Sequence, residues 1–153
     1  MADHQSECEI CDRIAQCRRG DHPGFIAEME TGFAVLGDSQ LFRGYSLLLC
    51  KDPVTELDEL PRDRRLKHLE EMALLAEAVR NVVKPHKINY ECLGTMVHHI
   101  HWHLFPRRLS EPEPLKPVWV QMDSANAPEN RLDPVRDGPL IADLRAELAR
   151  LRR

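Results

Sequence analysis

The stretch Val97-His98-His99-Ile100-His101-Trp102-His103-Leu104-Phe105-Pro106 holds four of the chain's eight histidines. Its informative property is alternation. In an extended strand successive side chains point to opposite faces, so His99, His101 and His103 share one face and Ile100, Trp102 and Leu104 the other. His98 falls on that second face, outside the row. Such a strand presents a line of imidazoles, which titrate near neutrality and serve as nucleophile, acid, base or metal ligand. A tag or a compositional cluster does not interleave with bulky apolar residues in mid-chain, nor close on a proline. The segment reads as a site.

Working outward, residues 88–93 form a preceding strand, antiparallel to the histidine strand (99–105) across a Gly94-Thr95-Met96 turn. Residues 45–50 are apolar enough for a central strand, and residues 25–29 and 33–36 suit a hairpin closed at Glu30-Thr31-Gly32. Over residues 64–84 the period changes: Leu66, Leu69, Met72, Leu75, Val79 and Val82 recur at three and four. That predicts the longest helix, with Pro61 near its start and Pro85 stopping it. Ile10, Ile14 and Cys17 predict a short helix over 8–17, broken by Gly20, Pro23 and Gly24. Beyond Pro106 six prolines punctuate a polar stretch in which only Val118-Trp119-Val120 is sticky, against the body or a partner subunit. Ile141, Leu144, Leu148 and Leu151 stripe a final helix over 140–151. The expected class is α+β, an antiparallel sheet of about five strands with helices on one face. Residues 1–109 make the body; 110–153 make a proline-rich arm and a helix packed on it.

At 153 residues and 42 % hydrophobic, the chain suits one compact domain with a real core. Its net charge of −4 supplies no basic field for a nucleic acid polymer, while small anionic ligands need only a few local donors. No run approaches a membrane-spanning helix and no charged-then-apolar leader opens the sequence, so a cytoplasmic protein without a membrane partner is expected. Cysteines at 8, 11, 17, 50 and 92 then suit thiols or metal ligands better than a disulfide framework. Cys50 and Cys92 stand in apolar runs and fit small core positions.

The row from His99 to Phe105 resembles the histidine-triad pattern His-φ-His-φ-His-φ-φ, with φ apolar. Asn89, Gly94 and the Pro106-Arg107 close also stand where members of the histidine triad (HIT) family keep them. Phe42-Arg43-Gly44-Tyr45-Ser46-Leu47-Leu48-Leu49-Cys50-Lys51 resembles the strand that usually reads Gly-His-Thr-Leu-φ-φ-Pro-Lys, and Val54-Thr55-Glu56-Leu57 suits the family too. The resemblance spans roughly the first seventy per cent of the chain. It implies a HIT-like fold, an antiparallel sheet crossed by a long helix, usually in a homodimer. It also implies chemistry at a nucleotide α-phosphate, in which the middle histidine displaces a leaving group and water releases the nucleotidyl-histidine. By position His101 is the nucleophile. His99 and His103 flank it, hydrogen-bonding phosphate oxygens and fixing its tautomer.

Physical chemistry agrees with that transfer. An imidazole attacks well only when neutral, so its second nitrogen needs an acceptor such as a carbonyl from a neighbouring strand. Charge developing on the phosphoryl oxygens needs donors, which flanking histidines and turn amides at 94–96 can supply. No cofactor is required.

The sequence also departs from the pattern. Thr95 stands where many members carry Gln after the turn glycine, and its shorter hydroxyl bears on leaving-group preference. Gly37 occupies the usual position of a ribose-binding carboxylate, which leaves Asp38 as the nearest candidate, against an ordinary turn aspartate. Asn89, in a strand interior, suits substrate binding. Substrate contacts are therefore expected from Asn89, Gly94, Thr95 and Asp38. Cys8-Glu9-Ile10-Cys11 has the spacing of a zinc-chelating half-site. The resemblance implies His99 as a third ligand to a structural zinc and a fourth at Pro53, which cannot ligate; a helix start with two small residues is the plainer alternative. His4, His22, His68 and His86 read as surface residues. Arg107 and Arg108 suit either a polyphosphate or a solvated strand end.

The leading expectation is a hydrolase of nucleoside phosphoramidates, adenylates or dinucleoside polyphosphates that releases a nucleoside monophosphate. A nucleotidyltransferase or phosphorylase, and a nucleotide-binding sensor with little turnover, are the alternatives.

Overall fold

A computed structural model of the protein describes residues 8–153. Its elements run α1 (Glu9–Arg19), β1 (Phe25–Glu28), β2 (Gly32–Leu36), β3 (Ser46–Cys50), α2 (Arg62–Val83), β4 (Lys87–Glu91), β5 (His101–Arg107) and α3 (Pro134–Leu151). Short 3-10 turns occupy Leu57–Glu59, Val118–Ser124 and Pro128–Asn130. The five strands form one antiparallel sheet in the order β1-β2-β3-β5-β4. This is the expected α+β architecture.

The sheet's two faces do different work. Ala34, Leu36, Leu48, Ile88 and Leu104 point to one side, where Leu75, Ala76 and Val79 of α2 and Leu144 and Leu148 of α3 cover them. These side chains are almost wholly removed from water, and each Leu, Ile or Val among them contributes roughly 1.5–3 kcal/mol when fully buried. Residues of opposite parity, Phe33, Val35 and Leu49, face the other side and meet Ile10, Ile14 and Cys17 of α1. The helices therefore do not share one face, although the sequence suggests that they do: α1 lies across the sheet from α2 and α3. Its apolar stripe is too short to join the main core but long enough to cover three strand residues. Gly20 ends it in the left-handed conformation (φ 80°), which costs glycine nothing.

α3 begins six residues earlier than its leucine stripe suggests, because the Asp133 side chain accepts from the N–H groups of Val135 and Arg136 as an N-cap, with Pro134 in the first turn. Gly138 and Pro139 mask this start in the sequence. Two histidines read as surface residues are buried. The His22 Nδ1 accepts from the Gly24 N–H at 3.0 Å. His68 lies under the β1–β2 hairpin, its Nδ1 2.9 Å from the Thr31 hydroxyl. There the buried Glu71 carboxylate accepts from the Glu30 and Thr31 N–H groups at 2.8 and 2.7 Å, so α2 pins the hairpin through polar groups that its apolar period does not reveal. His86 is exposed as expected, and His4 lies outside the described residues.

The arm is fastened rather than loose. The Arg107 guanidinium, buried at the end of β5, donates to the Glu111 carboxylate, to Asn89 Oδ1 and to the carbonyls of Glu113 and Lys116. Neither expectation for Arg107 holds, since it is a structural anchor and not a solvated strand end or a phosphate guide. Arg108 instead reaches the Arg43 carbonyl. Val118 is fully buried with Phe42, Tyr45 and Phe105, whereas Trp119 and Val120 stay about half exposed. Farther along, Ser39 and Arg131 form an isolated antiparallel bridge. No described helix is long and apolar enough to cross a membrane.

Candidate active site

The expected alternation holds only from His101 onward. In β5, Trp102 and Leu104 turn to the helix-covered face, and His101, His103 and Phe105 to the other. β5 begins at His101 because residues 98–100 leave the ladder, although the Cys50 N–H still donates to the Ile100 carbonyl. His99 is thereby freed from the row. Its ring turns to α1, and its Nδ1 stands 3.4 Å from each of the Cys8 and Cys11 sulfurs. It does not flank the cavity as a phosphate donor.

Hydrogen bonds bear on where each ring holds its proton. The Nδ1 of His101 lies 2.7 Å from the backbone carbonyl of His99, which can only accept, so Nδ1 carries the proton and Nε2 keeps a free lone pair. The acceptor comes from the same segment two residues upstream and not, as expected, from a neighbouring strand. The Nε2 of His99 lies 2.6 Å from the Cys50 carbonyl and must donate, which leaves its Nδ1 lone pair toward the two sulfurs. The third ring is set by a side chain that the sequence did not single out. The Tyr45 hydroxyl lies 2.5 Å from the Nδ1 of His103, and with the phenol as donor the proton of the ring stands on Nε2.

Burial supports the neutral forms of His99 and His103. It pushes His103 down to about 4, with the neighbouring His101 adding to the effect, and it also lowers His99. Burial raises the Tyr45 phenol, which therefore keeps its proton to donate. Tyr45 stacks on Phe105 with centroids 4.1 Å apart, and His101 and His103 meet edge to face at 4.8 Å. Tyr45 also explains Gly37: a Cβ there would fall 2.5 Å from Tyr45 Cε1, so the ring occupies the space a side chain at 37 would need.

Two cavities meet at His101. One, of about 410 Å³, is bordered by Asp38, Leu47, His101, His103 and Met122. Asp38 is fixed there by Arg13 of α1 at 2.5 Å, so the structure brings it to the histidines. The other, of about 510 Å³, is bordered by Glu56, Gly94, Thr95, His98 and His101. Asn89 is not brought in: its Oδ1 accepts from Arg107, and it borders a separate groove beside the arm. An unprotonated Nε2 between two cavities, with a protonated Nε2 beside it, can attack an electrophilic phosphorus and donate to its oxygens.

A HIT domain model matches residues 23–110, more than half of the chain. The chain belongs to the HIT family. Solved HIT structures share the fold. A histidine triad protein from Marinobacter aquaeolei is 23 % identical, with a TM-score of 0.71 over 83 % of this chain and 89 % of that one. A zinc-bound histidine triad family protein from Mycobacterium smegmatis is 24 % identical, with a TM-score of 0.65 over 97 % of each chain. The diadenosine triphosphate hydrolase of Plasmodium falciparum is 10 % identical, with a TM-score of 0.62 over 85 % of this chain and 79 % of that one. No match is found among curated proteins.

Cys8, Cys11 and His99 form the one cluster among the described residues whose ligand atoms could hold a metal, all within 4.8 Å of one another. Tetrahedral zinc bonds to sulfur and nitrogen imply S···N separations of about 3.5 Å, and the two observed are 3.4 Å. The donor set thus fits zinc. Pro53 is exposed and offers no ligand, Cys17 is buried with Phe33 and Val35, and the nearby Asp52 carboxylate accepts from Arg64. All five cysteines are free thiols.

Proposed function

We propose that this HIT protein hydrolyses a nucleotide derivative at its α-phosphate through a nucleotidyl-histidine on His101, releasing a nucleoside monophosphate. The observation that carries the reading is the Nδ1–H···O=C bond from His101 to the His99 carbonyl, which leaves Nε2 unprotonated where two cavities meet. In this reading the nucleoside lies in the cavity of Asp38, which accepts from the ribose hydroxyls, and the leaving group in the cavity of Gly94 and Thr95. As His101 Nε2 bonds to phosphorus, the bond to the leaving group breaks, and the Nε2–H of His103 donates to a phosphoryl oxygen. Water then attacks phosphorus and returns the imidazole as leaving group. Substrates are nucleoside phosphoramidates, adenylates or dinucleoside polyphosphates. A structural zinc at Cys8, Cys11 and His99 belongs to the same proposal, with water completing its shell. It would hold α1 to the segment before β5 and take no part in the reaction. So do a homodimer and a place in the cytoplasm, where thiols stay reduced.

The test follows AMP release from adenosine 5′-phosphoramidate and diadenosine tetraphosphate, with His101→Ala as control. Turnover on either substrate, lost in the variant, is the expected result. Binding of AMP with no turnover on either would turn the reading toward a sensor, and a nucleoside diphosphate formed with added inorganic phosphate would make the protein a phosphorylase.

A further inference from the structure

Residues beyond the family match at 110 have no place in the reading above, yet they reach the site. Met122, Ala125 and Asn126 border the cavity that holds Asp38, His101 and His103. They are held there from both ends. Upstream, Val118 is fully buried against Tyr45 and Phe105, and Trp119 stands edge-on to His103 at 6.2 Å. Downstream, the Gln40 N–H donates to the Asn130 carbonyl at 2.5 Å and the Leu132 N–H to the Asp38 carbonyl at 2.7 Å. Asn130 also ties back to the Ser124 carbonyl at 2.8 Å. The segment is therefore a fixed wall, joined to the same loop that carries Asp38.

We propose that residues 118–131 form the nucleobase end of the nucleotide site, with Met122 as an apolar face for the base and Asn126 as the group that reads its edge. This rests on the nucleotide reading above. A nucleobase needs two apolar surfaces and a polar edge partner. Leu47 and Val97, partly buried on the sheet side, supply one surface, and the thioether of Met122 the other. Sulfur meets aromatic rings favourably and adapts to their shape. Asn126 is exposed at the rim and carries a donor and an acceptor side by side, a pairing that a base edge with adjacent donor and acceptor can meet. The cavity's 410 Å³ lies within the range of about 300–1,000 Å³ usual for small-molecule sites. The chemical class is thus a nucleoside monophosphate, with base recognition supplied by the chain's own arm.

Calorimetric titration of AMP, GMP and UMP into the full chain tests this, for the wild type and for Met122→Ala, Asn126→Ala and Asp123→Ala. Asp123 is exposed on the same turn but does not border the cavity, so its variant reports on the arm's fold and should keep wild-type affinity. The wild type should bind the three with unequal affinity. Met122→Ala should weaken all three nucleotides by roughly tenfold. Asn126→Ala should weaken the tightest of the three by roughly 5–100-fold and narrow the differences among them. Wild-type affinity in both cavity variants would overturn the proposal while leaving the nucleotide reading intact. A uniform loss in Asn126→Ala would move that side chain off the base edge and overturn it too. Failure of the wild type to bind any nucleotide would overturn the parent reading and this one with it.

Discussion

His99 and His101 are two residues apart in one alternating row, yet the fold gives them opposite protons and opposite neighbours. His101 holds its proton on Nδ1 against the His99 carbonyl and opens Nε2 to the cavities. His99 holds its proton on Nε2 against the Cys50 carbonyl and opens Nδ1 to two sulfurs. The difference arises where the strand begins. Inside β5 the ladder with β3 and β4 fixes which way each ring points; before His101 that ladder lapses and the His99 side chain follows α1 instead. One carbonyl on each side thus decides which nitrogen of each imidazole keeps its lone pair.

The largest test of this contrast is substitution at the two positions. His101→Asn should lower turnover at least about a thousandfold, because the nucleophile is gone. His99→Asn keeps the backbone carbonyl that orients His101, so a loss of only about tenfold is expected in initial rates, together with loss of bound zinc. Equal losses in the two variants would break the distinction. Next in size, the double variant Cys8→Ser/Cys11→Ser should abolish zinc binding measured by elemental analysis, and lower Tm by roughly 5–10 °C as α1 loses its tie to the sheet. An unchanged zinc content would place the metal elsewhere.

A smaller effect concerns pH. The folded value of His103 lies near 4, below its unfolded value of 6.5, so between those values the unfolded chain binds a proton that the folded one refuses. Stability from this group is complete above pH 6.5 and is lost as pH falls toward 4, by about 1–3 kcal/mol. Burial lowers His22 and His68 as well, which adds loss of the same sign. Denaturant midpoints should therefore fall on acidification, and His103→Asn should flatten the profile between pH 6.5 and 4. A midpoint that rises on acidification would contradict the neutral assignment. Smallest is Tyr45→Phe, which keeps the stack on Phe105 but removes the donor to His103; turnover should fall roughly 5–10-fold with little change in Tm.

Much of the fold is legible in the sequence because it rests on period. The alternation of 101–105, the three-and-four spacing along α2 and the hairpin breakers at 30–32 each answer to burial on one face. What escapes is set by polar contacts at long range. Nothing local distinguishes His68 and Glu71 from solvated helix residues, since their partners are the Glu30 and Thr31 amides across the hairpin. Asn89 suits a substrate ligand by its place in a strand interior, but its Oδ1 accepts from Arg107 instead. In the site, His101 and His103 could be named from spacing, and Asp38 from its nearness to Gly37. Tyr45 carried a signal too, for it replaces the histidine of the related Gly-His-Thr-Leu strand; its hydrogen bond to His103 shows what the replacement does. Met122 and Asn126 carried none, because an arm without periodicity gives no hint of the loop it bridges.

The central claim is the placement of three protons, and long-range ¹H–¹⁵N correlation spectra of histidine-labelled protein near pH 7 read it directly. We expect His101 as the Nδ1–H tautomer, with His99 and His103 both as Nε2–H and the His99 Nδ1 resonance shifted by metal when zinc is added. A spectrum with His101 protonated on Nε2 would contradict the account, because the nitrogen facing the cavities would then have no lone pair to attack with.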